Sequence, residues 1–143
     1  MSTPSPDLQR FLDAQDAGGT YERARAELIA GRKTSHWIWF VFPQIAGLGQ
    51  SEMSRRYAIA SLDEARAYAA HPVLGARLRD CARALLRHRD RAADEILGGI
   101  DAIKLRSSMT LFAAADPAED LFAGVLDTFY DGEPDTATER LIA

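Results

Sequence analysis

"SHWIWFVFPQIAGLGQS", residues 35–51, is the stretch whose reading decides the fold. Its centre, Ile38-Trp39-Phe40-Val41-Phe42, is a short continuous apolar run, which suits a buried strand as well as a buried helix. The surroundings decide between them. No other segment reads as a strand, and a lone strand would leave its backbone N–H and C=O groups unpaired. The run is therefore assigned to a helix and the protein to the all-α class.

Working outward, helix signals dominate on both sides. Ser5-Pro6 reads as a cap and first helical position, with Leu8, Phe11, Leu12 and Gln15 on one face behind it. Thr20 opens a second helix with Tyr21, Ala24 and Leu28 on its apolar face and Gly31 as its stop. Ser61-Leu-Asp-Glu64 has the capping-box pattern, in which a hydroxyl and a carboxylate each satisfy a free backbone N–H. His71-Pro72 ends that helix and begins the next, predicted from Val73 to about Asp90 on the stripe Leu74, Leu78, Cys81 and Leu85. Asp116-Pro-Ala-Glu119 reads as a second capping box, followed by the buried face Leu121, Phe122, Val125, Leu126 and Phe129 and closed by Gly132. The expectation is one compact domain over residues 1–143, of about six to eight helices and no sheet, with residues 1–4 as a flexible end.

Composition narrows the function. The chain has 143 residues, a length that builds one ordinary domain and falls short of two. A net charge of -4 argues against a dedicated nucleic-acid or membrane-surface protein, since those carry a basic excess. The one cysteine, Cys81, has no partner for an internal disulfide and reads as a buried structural thiol. The N-terminus lacks both a basic start and a long apolar stretch, so the protein is expected to be cytoplasmic, with no membrane association.

Several motifs carry a functional and a structural reading. Arg77, Arg79, Arg83, Arg87, Arg89 and Arg91 crowd one helix, but Asp80 and Asp90 interrupt them, so they read as a solvated face with local ion pairs ahead of a nucleic-acid site. Gly47-Leu-Gly49-Gln-Ser51 lacks the lysine of a phosphate loop and reads as a plain loop ending in the N-cap of a helix near Glu52. No two histidines stand at metal-ligand spacing, and neither a metal nor a bound cofactor is called for. Residues 99–112, GIDAIKLRSSMTLF, interleave polar and apolar residues on the inner side of a helical wheel. Asp101, Lys104 and the serines are costly to bury unless paired or facing a polar cavity. Two readings stay open there: an Asp101–Lys104 ion pair with serines bonding back to the helix, or a site.

The segments GRKTSHWIWFVFPQIAGLGQS, YAIASLDEARAYAAHPVLGARL and DAIKLRSSMTLF, taken in order, resemble the bacterial family known as domain of unknown function 1810. The resemblance rests on the HWxWFxFPQ, HPxLGxRL and KxxSSMTLF runs and covers nearly the whole chain. Ala69 departs mildly from it, standing where a bulkier residue is common before the HP pair. A single multihelical domain is what it implies, with no activity attached. A looser similarity, of helical character and of polar residues beside aromatics, connects the family to the NADAR proteins, which are helical N-glycosidases of ADP-ribosyl or ribosylated nucleotide compounds.

Two functions are carried forward. In the first, the protein is an N-glycosidase that acts on a nucleotide-like small molecule in an aromatic-walled pocket. Asp101 would stabilise positive charge on the sugar or activate water, Lys104 would hold a phosphate or the departing group, and His36 would be an auxiliary acid or base. Trp37 and Trp39 would offer stacking surfaces, and Gln44, Ser107 and Ser108 would orient the ligand. In the second, the same cleft belongs to a non-catalytic module that binds a nucleotide or a protein partner. Either is expected to be a monomer or a weak homo-oligomer.

Overall fold

In the computed structural model, which describes residues 8–143, Ile38–Val41 forms one helical turn at the centre of the aromatic run. Its setting explains why the turn is short. Phe40, Val41 and Phe42 are buried on different sides, and the Phe40 carbonyl accepts a 2.7 Å hydrogen bond from the side chain of Gln15, itself buried. The same Gln15 amide donates to the hydroxyl of Tyr68, so one polar side chain ties the run into two neighbouring helices. An unpaired amide at that depth would cost about 1–3 kcal/mol.

Among the described residues ten α-helical segments follow one another: α1 (Leu8–Asp16), α2 (Thr20–Ala30), α3 (Ile38–Val41), α4 (Glu52–Arg56), α5 (Leu62–Ala70), α6 (Leu74–Leu86), α7 (Ala93–Leu97), α8 (Gly99–Ala115), α9 (Asp120–Tyr130) and α10 (Thr136–Ile142). A 3-10 turn, Ala17–Gly19, joins α1 to α2. Seven of the ten segments run for seven residues or more, while α3, α4 and α7 are single turns. No strand occurs among the described residues, only an isolated parallel bridge in which Ile45 and Ile59 pair. The expected flexible end and the Ser5-Pro6 cap lie outside the described residues.

The sequence accounts for most helix ends. Gly31 closes α2 at φ 78°, a left-handed conformation that costs other residues a steric penalty. Ser61 caps α5 by accepting from the Glu64 N–H, and Ser51 caps α4 by accepting from the Ser54 N–H. Two boundaries differ from expectation. Helix α6 stops at Leu86 rather than near Asp90, where turns bring the His88 ring onto the last carbonyls of α2. Helix α9 starts at Asp120, capped by Glu119 rather than by Asp116, because the Asp116 carboxylate is taken by Arg79 at 3.0 Å.

At the centre stands α8, packed by α5, α7, α9 and α10 and touched by α3. That position resolves the mixed pattern of residues 99–112. A helix enclosed along its second half has no solvent face there, so Ser107, Ser108 and Thr110 are buried along with Leu105, Met109 and Phe112. Thr110 donates to the carbonyl of Arg106, one turn back, while the one Ser107 hydroxyl proton is shared between the Ile103 carbonyl and Asp135 Oδ2, at 3.3 and 3.2 Å. Cys81 is buried in the core, which pushes its thiol up to about 12. No helix among the described residues is long and apolar enough to cross a membrane.

Candidate functional site

The first half of α8 emerges from the core at the surface, and the candidate site forms around it. Gly98 precedes the helix at φ 89°, a backbone setting open to glycine, and a side chain placed there or at Gly99 would meet only open space. Ile100 and Ile103 stand out from this end, 73% and 67% exposed, where apolar side chains of that size are usually covered.

Two clefts flank Ile100. One, of about 400 Å³, lies between the first turn of α8 and the loop Lys33–His36, with Asp101 in its wall. The other, of about 260 Å³, lies toward the end of the aromatic run and is lined by Gln44, Ser54, Lys104 and Ser107. Ile100 belongs to both. A third hollow, of about 420 Å³ between α8, α9 and α10, is lined by Thr110, Ala113, Leu126 and Ile142, with Glu139 as its one charged residue.

A Lys–Asp–Lys row joins the two clefts. Lys33 Nζ lies 2.8 Å from Asp101 Oδ2 and also donates to the carbonyl of Ser35, so it clamps the loop to α8. Lys104 Nζ is 3.9 Å from the other carboxylate oxygen and stands 5.2 Å from the Trp39 ring centroid. Two cations against one carboxylate leave one net positive charge. Lys104 makes no hydrogen bond with the described residues, and neither does the Gln44 side chain.

The loop that walls the first cleft is held from below by Glu27. Its carboxylate accepts from the N–H groups of Thr34 and Ser35, the Ser35 hydroxyl and the Trp37 indole N–H. Burial pushes the Glu27 carboxyl up, but those four donors outweigh it and hold the group down at about 2.

The expected site residues are thus partly brought together. Gln44, Lys104 and Ser107 share one cleft, His36 and Asp101 share its neighbour, and Trp39 lies under Lys104. Trp37 is not available as a stacking wall, since it is wholly buried with its N–H on Glu27. Ser108 is equally buried, and its hydroxyl has no partner among the described residues. Ser107 is engaged by Asp135, the N-cap of α10. Sequence reading missed Glu27 and Lys33; both sit in or beside the GRKTSHW segment, and the signal was a lysine two residues before a serine–histidine pair.

The arginine cluster divides in a way not expected. Arg79 bridges α6 to Asp116 and Glu119 and to the Ala69 carbonyl, Arg77 reaches Asp16 and Gln15, and Arg91 reaches the Gly31 carbonyl. Arg83, Arg87 and Arg89 remain exposed. Among the described residues no group of three or more His, Cys, Asp or Glu side chains is placed to hold a metal ion.

Comparison with known proteins gives one family and one solved neighbour. The model of the family described as "Protein of unknown function (DUF1810)" matches residues 5–142. The crystal structure of the conserved hypothetical protein Rv1873 from Mycobacterium tuberculosis superposes with a TM-score of 0.91 at 46% identity, over 95% of this chain and 96% of that one. No curated protein matches the chain.

Proposed function

The chain belongs to the DUF1810 family of proteins of unknown function, and from that premise we propose that the exposed end of α8 binds a small nucleotide-like anion. Lys104 carries this reading. Its side chain is about four-fifths buried, makes no hydrogen bond with the described residues, and has an ion pair stretched to 3.9 Å. An ammonium with no hydrogen bond and only a long ion pair keeps its donors free, and an anion in the cleft would take them. Trp39 beneath it adds cation–π attraction and fixes its position. Gln44, with an uncommitted amide, supplies a donor and an acceptor for a planar polar group.

A second reading, cleavage of an N-glycosidic bond, draws support from Asp101, whose carboxylate lines the adjoining cleft. A carboxylate there would stabilise charge developing on a sugar. Lys33 and Lys104 already engage it, however, so binding needs fewer changes than chemistry.

One experiment separates the two. Nucleoside mono- and diphosphates and NAD are titrated calorimetrically against the parent and Lys104→Met, and each mixture is then analysed for free base. Binding to the parent that drops at least tenfold in Lys104→Met, with the ligand recovered intact, supports the module. Base release that is absent in Asp101→Asn would move the reading to the enzyme, and no heat with any compound would remove the site altogether.

A further inference from the structure

The two clefts have opposite chemical demands. Lys104 in one can only donate hydrogen bonds, so what meets it must accept. Asp101 in the other, paired with Lys33, is an acceptor, so what meets it must donate. These two groups are 3.9 Å apart, and the exposed Ile100 belongs to both of the clefts they line. A ligand that fills one cleft therefore reaches the wall of the other.

Resting on the anion site just argued, the geometry points to a single ligand that spans both clefts: a hydroxylated phosphate, with its phosphate on Lys104 and its sugar or polyol hydroxyls on Asp101. An amine donor would fit Asp101 less well, because it would add a third cation beside Lys33 and Lys104. His36 and Thr34 line the same cleft and supply further hydrogen-bonding groups for hydroxyls. The exposed flank of Ile100 lies under the carbon skeleton that joins the two ends, which gives an apolar side chain at this position something to cover. Lys33 is then a positioning residue. It is the nearer of the two cations, 2.8 Å from Asp101 against 3.9 Å for Lys104, and so fixes the carboxylate.

The test varies the ligand, so that folding cannot confuse it. Ribose 5-phosphate, the same compound without its ring hydroxyls (tetrahydrofurfuryl phosphate) and inorganic phosphate are titrated into the full chain by calorimetry. Ribose 5-phosphate is expected to bind at least tenfold more tightly than either of the others, and Asp101→Asn is expected to shrink that advantage while inorganic phosphate, freed of a neighbouring carboxylate, binds at least as tightly as before. If all three bind equally, the spanning ligand is overturned and the anion site on Lys104 stands. If none binds, both fall. Should Asp101→Asn fail to fold, the comparison of the three ligands on the parent still decides.

Discussion

Glu27 shows how one side chain shapes a surface it does not reach. Four donors from residues 34–37 converge on its carboxylate and hold the group at about 2, against an ordinary 4.5. A carboxyl lowered on folding stabilises the protein above its unfolded value, and that contribution fades as pH falls from 4.5 toward 2. Glu27→Gln should therefore cost about 1–2 kcal/mol at neutral pH and flatten the fall in Tm between pH 4.5 and 2.5, as thermal melts across that window would show. A fall as steep as the parent's would contradict the role. The two ends of the Lys–Asp–Lys row should differ in a similar way. Lys104→Met removes a long, partly exposed pair and should cost under about 1 kcal/mol. Asp101→Asn leaves Lys33 nearly buried without its counter-charge and should cost about 3 kcal/mol, read from urea midpoints.

At the scale of elements, the HPVLG segment explains itself through packing. His71 Nδ1 accepts from the N–H groups of Val73 and Leu74 and so caps the start of α6, while Pro72 keeps α5 from continuing. Gly75 is required because a side-chain carbon there would fall 2.2 Å from the Ala69 carbonyl oxygen. Gly75→Ala must push α6 away from α5 and should cost about 2–3 kcal/mol by denaturant unfolding, in the range of overpacking changes. Arg79 closes the same corner, so Arg79→Ala should destabilise the fold, whereas Arg83→Glu with Arg87→Glu should leave the melting temperature nearly unchanged. Where periodicity and caps are local, as in α2, α5 and α6, the sequence showed the elements plainly. It misplaced the start of α9 because Arg79 claims Asp116 from a distant helix, and no local pattern reveals such a competition.

For the whole molecule, the all-helical class followed from apolar stripes that any reader can count, and the enclosed position of α8 explains why its pattern alone was ambiguous. The candidate site was only partly legible. Lys104, Asp101, Gln44 and His36 stood out as polar groups beside aromatics, and the fold gathers them around Ile100. Which tryptophan lies under Lys104 and which is wholly buried was not legible, because the two differ in where the turn of α3 places them. That difference supplies the most direct test. The chain has two tryptophans, so a ¹⁵N–¹H correlation spectrum shows two indole N–H signals: Trp37, bonded to Glu27, and Trp39, whose N–H has no partner among the described residues. Titrating AMP should shift the Trp39 signal in a saturable way and leave Trp37 in place, and Lys104→Met should abolish the shift. A Trp39 signal that stays fixed at millimolar AMP, or that moves equally in Lys104→Met, would contradict an anion site on Lys104.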